Sequence, residues 1–320
     1  MTQEVRQFTL SLGPFQGITD VVFRNTFTKH FKGVDKLYTP FFTSIEKDRA
    51  KNLQTDEIDP KHNDIDKLTP QILSNDADEI IRFARQCKSM GYKEINLNLG
   101  CPFARVANKK RGSGLLPYPE IVEPMFENIF GHIDMTFSVK CRLGYFDSDE
   151  IVPLIDIFNR YPLSELIIHP RIGKQLYKGD ADVQRFSELI PCIKAPLVYN
   201  GDIVSKESFE DIRTAVQPVN QFMLGRGLLA NPFLAEEIKG LETGDKTRRF
   251  ESFVNDIFEE RLRHTGGSPK VLGRMKELWS YMMFSFDDPQ QVWRKLKKIN
   301  DMKEYESAVV ELFRDIKLSI

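Results

Sequence analysis

Cys101, within the run Asn98-Leu-Gly100-Cys101-Pro102, is the first candidate for chemistry in this sequence. A free thiol has a pKa of about 8.5, so it is mostly protonated at neutral pH and can act as a general acid without a special environment. A nucleophilic cysteine would instead need a lowered pKa and a nearby base. The alternative is a small buried hydrophobic side chain at a strand end, the usual role of a free cysteine.

The other three cysteines are interpreted as structural. Cys87 falls on a predicted helix face, Cys141 alternates with Lys140 along a predicted strand, and Cys192 lies between Pro191 and Ile193. No pair has the Cys-x-x-Cys spacing of a zinc or redox site, and four cysteines in 320 residues do not form a disulfide framework. We therefore expect neither a disulfide framework nor a metal centre.

Lys140 and His169 are further candidates, because each lies in a segment otherwise suited to burial. An unpaired buried lysine is costly, so Lys140 needs a negative partner, either a ligand or a neighbouring carboxylate. His169 is followed by Pro170 and Arg171. Taken singly, His169 could be either a hydrogen-bonded core residue or part of a binding site. Arg171, taken singly, could form a surface ion pair.

The elements that carry these residues alternate between strand-like and helix-like segments. Residues 76–90 form the clearest helix, with Asn75 or Asp76 as the N-cap, apolar residues on one face and Gly91 at the end. Eight short segments have strand composition: Phe8–Leu12, Leu37–Phe42, Gln71–Leu73, Glu94–Asn98, Phe137–Arg142, Leu166–His169, Leu197–Asn200 and Gln221–Leu224.

Eight β/α units within about 240 residues predict an α/β fold, a closed (β/α)8 or TIM barrel. An open doubly wound sheet is the alternative. The barrel is favoured because polar and glycine residues follow strand after strand, and a barrel would gather them at one rim. Asn200-Gly201-Asp202 and Gly225-Arg226-Gly227 end the last two strands, where barrels commonly bind phosphate. Tight turns alone would also explain these glycines.

The pattern changes after residue 241, where strand signals stop and helical periodicity continues to the end. We expect a barrel domain over residues 1–241 and a small helical bundle over residues 245–320. The bundle carries 15 Lys+Arg and 13 Asp+Glu, a net charge of +2 that leaves −3 for the rest. Basic residues are concentrated at Arg294, Lys295, Lys297, Lys298 and Lys303, which would suit either a solvated helix face or an RNA contact.

Composition limits the remaining possibilities. The fractions of hydrophobic residues, 41%, and charged residues, 28%, are ordinary for a globular protein, and the net charge of −1 gives no general attraction to polyanions. No apolar run approaches the roughly 20 residues of a membrane span. Residues 1–7 are polar and lack an export leader, so a cytoplasmic location is expected.

Six motifs in order make the chain resemble the tRNA-dihydrouridine synthases over residues 10–235, and the helical tail fits their tRNA-binding domain more loosely. They are Gly13-Pro-Phe-Gln-Gly17-Ile-Thr19-Asp20, Asn98-Leu-Gly100-Cys101-Pro102 with Gly112, Val139-Lys140-Cys-Arg142-Leu-Gly144, His169-Pro-Arg171 with Tyr177-Lys-Gly179, Asn200-Gly201-Asp202, and Gly225-Arg226-Gly227. The resemblance implies an FMN-dependent enzyme, re-reduced by NADPH or NADH, that converts tRNA uridines to dihydrouridine. Cys101 would donate a proton to C5 while the flavin supplies a hydride to C6.

The resemblance also implies roles for individual residues. Cofactor contacts would come from Pro14, Phe15, Gln16, Gln71, Lys140, His169, Asn200, Gly201, Asp202, Gly225 and Arg226. Substrate contacts would come from Asn98 and Arg171. At a site that must accept a polyanion, the basic cluster Lys109, Lys110 and Arg111 and the tail residues Arg294, Lys297 and Lys298 are further candidates for substrate contacts through phosphates, with solvated surface charge as the alternative. We further expect tRNA and NAD(P)H as partners, neither a membrane nor a metal, and a monomer.

The sequence departs from the family pattern at three places. Phe15 replaces a common methionine, Ile172 replaces a common threonine, and Lys110-Arg111 replace small or apolar residues. The last two departures bear on substrate contacts, so the sequence does not predict the uridine position. Two other hypotheses remain at this stage: a flavoenzyme acting on a free pyrimidine, as dihydroorotate or dihydropyrimidine oxidoreductases do, and a non-catalytic RNA-binding barrel.

Overall fold

The computed structural model describes residues 8–44 and 55–320. The residues at 1–7, on which the expectation about a leader rests, lie outside this part. The described strands are β1 (Thr9–Leu12), β2 (Lys36–Tyr38), β3 (Leu68–Thr69), β4 (Gln71–Ile72), β5 (Glu94–Leu99), β6 (Thr136–Gly144), β7 (Leu166–Ile172), β8 (Leu197–Tyr199) and β9 (Gln221–Leu224).

The described α-helices accompany the strands and then follow them. They are α1 (Val21–His30), α2 (Ala77–Ser89), α3 (Ala104–Ala107), α4 (Pro119–His132), α5 (Val152–Phe158), α6 (Val183–Leu189), α7 (Lys206–Ala215), α8 (Arg226–Ala230), α9 (Leu234–Lys239), α10 (Lys246–Thr265), α11 (Lys270–Met282), α12 (Pro289–Leu296) and α13 (Met302–Asp315). Within the described residues, no helix has both the length and the apolar character needed to cross a membrane.

The strands form one parallel sheet in the order β3-β2-β1-β9-β8-β7-β6-β5-β4. Its two ends, β3 and β4, are separated only by Pro70, and the Pro70 carbonyl accepts a hydrogen bond from the N–H of Asn96 on β5. One side of this interrupted strand pairs with β2 and the other with β5. The sheet therefore closes on itself as a TIM barrel with β3 and β4 acting as one strand, which confirms the predicted fold.

Two prolines explain why the second strand is shorter than predicted and why the third is interrupted. The second strand was expected over Leu37–Phe42 but ends at Tyr38, and the third is broken at Pro70. Proline has no N–H to donate to a neighbouring strand, so Pro40 and Pro70 interrupt the ladder. The helix predicted over residues 76–90 is confirmed as α2, whose N-cap is the Asp76 side chain.

A charged cluster occupies the amino ends of the strands, away from the rim where the candidate residues lie. Lys36 Nζ is 2.9 Å from the carboxylates of both Glu94 and Glu165. The Tyr38 hydroxyl donates to Glu165 at 2.6 Å. This cluster stabilises one end of the barrel, because each buried charge has an opposite partner. The active site of a TIM barrel is expected at the opposite end, where the carboxyl ends of the strands lie.

The chain divides into two compact units, each described here by itself. The first contains residues 1–14, 35–202 and 210–223, of which 8–14, 35–44, 55–202 and 210–223 are described. The second contains residues 15–34, 203–209 and 224–320. The predicted domain boundary near residues 241–245 stays a prediction.

The second unit contains the helical tail, and its core matches the predicted apolar stripes. Phe250, Trp279, Phe286 and Phe313 form an aromatic cluster with ring centroids 5.4–6.5 Å apart. The indole N–H of the buried Trp279 donates to the Tyr305 hydroxyl at 2.8 Å. Because the indole N–H bonds to this hydroxyl, burial of Trp279 leaves no unpaired donor.

Candidate active site

The Cys101 loop is held in place by its backbone. β5 ends at Leu99, and the Asn98 side-chain oxygen accepts the N–H groups of Gly100 and Cys101, both at 2.9 Å. On the other side, the Ser113 hydroxyl and N–H both donate to the Cys101 carbonyl at 3.0 Å. Gly112 permits this close approach, because a Cβ on it would lie 2.6 Å from that carbonyl oxygen. The backbone that carries the thiol is therefore held on both sides.

A chain of side-chain amides supports Asn98 from inside the barrel. Ser138 accepts a hydrogen bond from the Asn96 amide at 2.9 Å, and Asn96 accepts one from the Gln71 amide at 2.8 Å. Gln71 in turn accepts one from the Asn98 amide at 2.8 Å. We call Ser138, Asn96, Gln71 and Asn98 the amide relay. Each member orients the next, so the relay points the Asn98 oxygen at the Cys101 loop.

The surroundings of Cys101 keep its thiol protonated. Only 6% of the residue is exposed. Burial raises the pKa of the thiol, and this effect outweighs the opposing influence of the Phe103 N–H and of the cations Arg105, Arg142 and Lys140. A raised pKa suits a proton donor and does not suit a nucleophile, which reacts as the thiolate. The environment thus favours the general-acid interpretation.

Lys140 stands on β6 and points to the opposite face from the buried Cys141. Burial, together with the nearby Arg142 cation, lowers the pKa of Lys140 to about 8. Within the described residues it makes no hydrogen bond and no ion pair, so the predicted alternative of a neighbouring carboxylate is not what the structure shows. An ammonium without a partner at the carboxyl end of a barrel strand is suited to an anionic ligand.

His169, Arg171 and Asp202 form one contact cluster. The Arg171 guanidinium donates to His169 Nε2 at 2.9 Å, to the Asp202 carboxylate at 2.6 Å and to the Gly179 carbonyl at 2.6 Å. A guanidinium only donates, so His169 Nε2 must be an acceptor and the ring proton lies on Nδ1. Arg171 is 2% exposed, which makes it an internal support for His169 and Asp202. A surface ion pair is excluded, and its direct substrate contact stays a prediction.

Arg142 and Tyr177 belong to the same region, although the sequence analysis gave them no role. Arg142 is buried, and it donates to the carbonyls of Gly100 at 3.1 Å and Ile172 at 2.9 Å. Its guanidinium carbon lies 5.3 Å from the centre of the Tyr177 ring. Burial lowers the pKa of Arg142 to about 10. The available signal was the spacing from Lys140, because residues two apart on a strand share a face.

The basic cluster after Cys101 divides into two parts. Lys109 and Lys110 are exposed, and Lys110 Nζ lies 3.9 Å from the centre of the Tyr118 ring. Arg111 turns inward, where it donates to Asn75 at 3.0 Å and lies 3.6 Å from the buried Glu79 carboxylate. Two of the three predicted phosphate contacts therefore face solvent, and the third is held within the protein. All three roles stay predictions.

The remaining predicted cofactor residues lie in both units. In the first unit, the Asn200 amide donates to the Met223 carbonyl at 2.8 Å, Gly201 is buried, and Pro14 precedes the division. In the second unit, Gly225 stands at the N-cap of α8, just before Arg226. The second unit also contains Phe15 and Gln16.

The loop of residues 15–20 is anchored to the tail helices within the second unit. Arg261 on α10 pairs with Asp20 at 2.7 Å and donates to the Ile18 carbonyl at 3.3 Å. Arg274 on α11 donates to the Gly17 carbonyl at 2.9 Å. The Phe15 ring lies 6.0 Å from that of Tyr281. The tail therefore supports the predicted flavin loop.

The predicted RNA contacts of the tail are all on the surface. Arg294, Lys297 and Lys298 follow one another along the end of α12 and are exposed. None of the three forms an ion pair within the described residues, whereas the neighbouring Lys295 lies 3.4 Å from Glu311. These cations are available to an external anion, and their role stays a prediction.

One of these residues fits a flavin directly. Lys140 is half-buried and lacks a negative partner among the described residues, which would suit an electron-rich cofactor edge. No three of the described His, Cys, Asp and Glu residues are grouped to hold a metal ion. The class of protein that this fold and site define is a TIM-barrel enzyme with its site at the carboxyl ends of the strands.

Comparison with known proteins gives the family. A family model described as dihydrouridine synthase matches residues 11–317, and the chain belongs to this oxidoreductase family. It is 26% identical to the tRNA-dihydrouridine(16) synthase of Neisseria meningitidis serogroup B over 98% of both chains. It is 30% identical to the probable tRNA-dihydrouridine synthase of Staphylococcus epidermidis over 71% of this chain and 70% of that protein. A probable tRNA-dihydrouridine synthase 1 of Synechocystis is also 30% identical, over 73% and 66%.

Proposed function

We propose that this protein is an FMN-dependent enzyme that reduces specific uridines of tRNA to 5,6-dihydrouridine. The observation that carries the proposal is that two groups lie at the ends of neighbouring strands: the protonated Cys101 thiol follows β5, and Lys140, which has no partner among the described residues, lies on β6. Relatives named for the same reaction on tRNA support the substrate. Because tRNA is the substrate, we place the protein in the cytoplasm.

Cys101 would donate its proton to C5 of the uracil ring. When bound, reduced FMN would supply the hydride to C6, and NADPH would restore the reduced cofactor. The thiolate left on Cys101 would be stabilised by Arg105, Arg142 and Lys140, the cations that already oppose the rise in its pKa. The amide relay would hold the thiol at the height of the ring, because it fixes the Cys101 N–H through Asn98.

Lys140 and His169 would hold the cofactor ring. The Lys140 ammonium would compensate negative charge on the ring edge, and with a pKa of about 8 it is still mostly charged at neutral pH. His169 has its orientation set by Arg171, whose guanidinium leaves the Nδ1 proton as the histidine donor. Arg171 thus acts through His169 and Asp202 and is a positioning residue in this proposal.

A tRNA uridine must be splayed out of the folded RNA to reach the bottom of such a site. Exposed cations at Lys109 and Lys110 on the barrel, and at Arg294, Lys297 and Lys298 on the tail, would contact the phosphate backbone. Such contacts position the RNA without reading its sequence. Position 16 is the first to test, because two relatives that align over 94–98% of their lengths carry it in their names.

The proposal is tested by mapping dihydrouridine in tRNA from cells that lack this protein. The cells are complemented with wild type, with Cys101→Ala, or with Cys192→Ala, which removes an exposed cysteine as a control. We expect one or a few sites to be lost, and to be restored by wild type and Cys192→Ala only. Full restoration by Cys101→Ala would remove the proton-donor role. Unchanged tRNA in the deleted cells, with reduction of a free pyrimidine by the purified protein, would refute the tRNA substrate.

A further inference from the structure

The loop after β6 displays a phenylalanine to solvent next to a lysine. Phe146 is 57% exposed, more than any other phenylalanine of residues 8–44 and 55–320. Its ring packs edge-on against Tyr145 with centroids 4.7 Å apart. Lys174 Nζ lies 5.3 Å from the Phe146 ring centre and 5.2 Å from that of Tyr145. We call Tyr145, Phe146 and Lys174 the rim platform.

Hydrogen bonds hold the backbone of the rim platform. The Glu150 carboxylate accepts the N–H of Tyr145 at 2.6 Å and that of Phe146 at 3.3 Å. The Lys174 N–H donates to the Tyr145 carbonyl at 3.0 Å, which ties the loop after β7 to the loop after β6. A side chain held by such a loop loses little conformational entropy when it binds a ligand. The exposed ring is therefore already organised for contact.

The rim platform lies next to the Cys101 loop. Gly173 lies in close contact with both the rim platform and the Cys101 loop, because a Cβ on it would overlap the Tyr145 ring and lie 2.7 Å from Ser113 Oγ. That same Ser113 hydroxyl holds the Cys101 carbonyl. Tyr145, Gly173 and Ser113 thus form a continuous contact from the rim platform to the backbone of the Cys101 loop. A ligand larger than one nucleotide that reaches this loop could also reach the rim platform.

Lys174 is the cation of the rim platform. Within the described residues it forms no ion pair, so its charge is available. The neighbouring loop carries three carboxylates, none of which is paired with Lys174: Asp149 pairs with Arg185 at 2.5 Å, Glu150 accepts backbone N–H groups, and the exposed Asp147 accepts the Asp149 N–H at 2.8 Å. An aromatic face beside an available cation is the arrangement that binds single-stranded nucleotides, with the base on the ring and the phosphate on the cation.

We propose that the rim platform binds the nucleotide adjacent to the reduced uridine, with its base stacked on Phe146 and its phosphate at Lys174. This inference rests on the proposed tRNA substrate. Turning a uridine out of the RNA also unstacks its neighbour, and an aromatic ring replaces the lost stacking whatever the neighbouring base is. Phe146 therefore holds the RNA open without reading its sequence.

The test measures steady-state reduction of intact tRNA and of tRNAs that are abasic at the 5′ or the 3′ neighbour of the reduced uridine. Flavin-loaded wild type is compared with Phe146→Ala, Phe146→Trp and Phe284→Ala, the last of which removes a phenylalanine that is 55% exposed elsewhere. On intact tRNA we expect Phe146→Ala to lower kcat/KM between about fivefold and a hundredfold, the range for loss of one base–aromatic stack. Phe146→Trp should retain activity, and Phe284→Ala should match wild type.

The abasic tRNAs give the readout that a purely structural role would not change. On the tRNA that lacks the stacked base, Phe146→Ala and wild type should differ by less than twofold. Lys174→Met should raise KM and reduce the slope of log KM against log salt by about one. Flavin absorbance of each variant, expected to equal that of wild type, reports whether the site is intact.

Two results would overturn the proposal. One is a Phe146→Ala variant with wild-type kcat/KM on intact tRNA. The other is a defect of the same size on both abasic tRNAs, which would mean that the ring contacts no adjacent base. If wild type itself does not reduce tRNA, the proposed function fails together with this inference. If wild type is active while Phe146→Ala is unaffected, only this inference fails.

Discussion

Replacing Lys140 by methionine should stabilise the flavin-free protein while weakening the flavin complex. Methionine keeps the length of the side chain and removes the charge. Burial lowers the pKa of Lys140 from 10.5 to about 8, and at about 1.4 kcal/mol per pH unit this difference corresponds to about 3 kcal/mol at neutral pH. Because the side chain is only half-buried and water reduces such penalties, we expect about 2 kcal/mol of stabilisation, or a rise in Tm of about 4 °C.

The pH dependence gives the sign of this effect. Below pH 8 the Lys140 ammonium is charged in both the folded and the unfolded chain, so the folded state carries the whole burial penalty. Between pH 8 and 10.5 only the unfolded chain keeps the proton, and wild-type stability rises with pH. The advantage of Lys140→Met should therefore be constant below pH 8 and should vanish by about pH 10.5.

The assay is thermal unfolding of the flavin-free proteins across pH 6–10.5, with Lys178→Met, at an exposed lysine, as the control. Titration with FMN should show that Lys140→Met binds about tenfold more weakly, because the ring edge has lost its cation. A Lys140→Met protein less stable than wild type at pH 7 would refute the reasoning, since it would mean that the ammonium has a partner. Unchanged FMN affinity would separate Lys140 from the cofactor.

Two further substitutions test how the site is supported. Asn98→Ala leaves the N–H groups of Gly100 and Cys101 without their acceptor, so we expect kcat to fall at least tenfold while KM for tRNA stays within threefold of wild type. Asn98→Asp should recover part of kcat, and equal defects in both variants would contradict the positioning role of Asn98. Arg261→Ala leaves Asp20 and the Ile18 carbonyl without their cation, so we expect the affinity for FMN, measured by fluorescence titration, to fall about tenfold. The control is Arg263→Ala, at an exposed arginine, and unchanged affinity in Arg261→Ala would show that the loop of residues 15–20 does not depend on the tail.

The sequence predicted the barrel well because its signals are local. Each strand is a short apolar segment followed by a turn, and the pattern needs no knowledge of distant residues. Two of the errors occur where one residue type overrides the pattern, at Pro40 and Pro70, whereas β6 and β7 simply extend beyond their predicted ends. The helical tail was predicted from its periodicity for the same reason, and it contains α10 to α13.

The site was predicted only in part, because partners are a property of the fold. Cys101, Lys140 and His169 stood out as single residues, but nothing local shows that Gln71 and Ser138, on the two strands beside β5, belong to the chain of hydrogen bonds that supports Asn98. Arg171 illustrates the opposite case. An arginine after the predicted end of a strand suggested a substrate contact or a surface ion pair, yet its hydrogen bonds to Asp202 and to the Gly179 carbonyl hold it inside the protein. Sequence alone does not distinguish an arginine whose N–H groups donate to acceptors inside the protein from an arginine that is exposed.

Burial acts on both reactive groups of the site, and the consequence depends on the sign of the charge. It raises the pKa of Cys101 and lowers that of Lys140, because it disfavours whichever form is charged. Below pH 8 the two groups are a neutral acid and a cation. In the proposed mechanism, the negative charge formed on the Cys101 sulfur would arise near a cation that has no partner among the described residues. The nearby ammonium would then favour the thiolate over its formation at an uncharged site, so the unpaired Lys140 would assist the proton transfer proposed for Cys101.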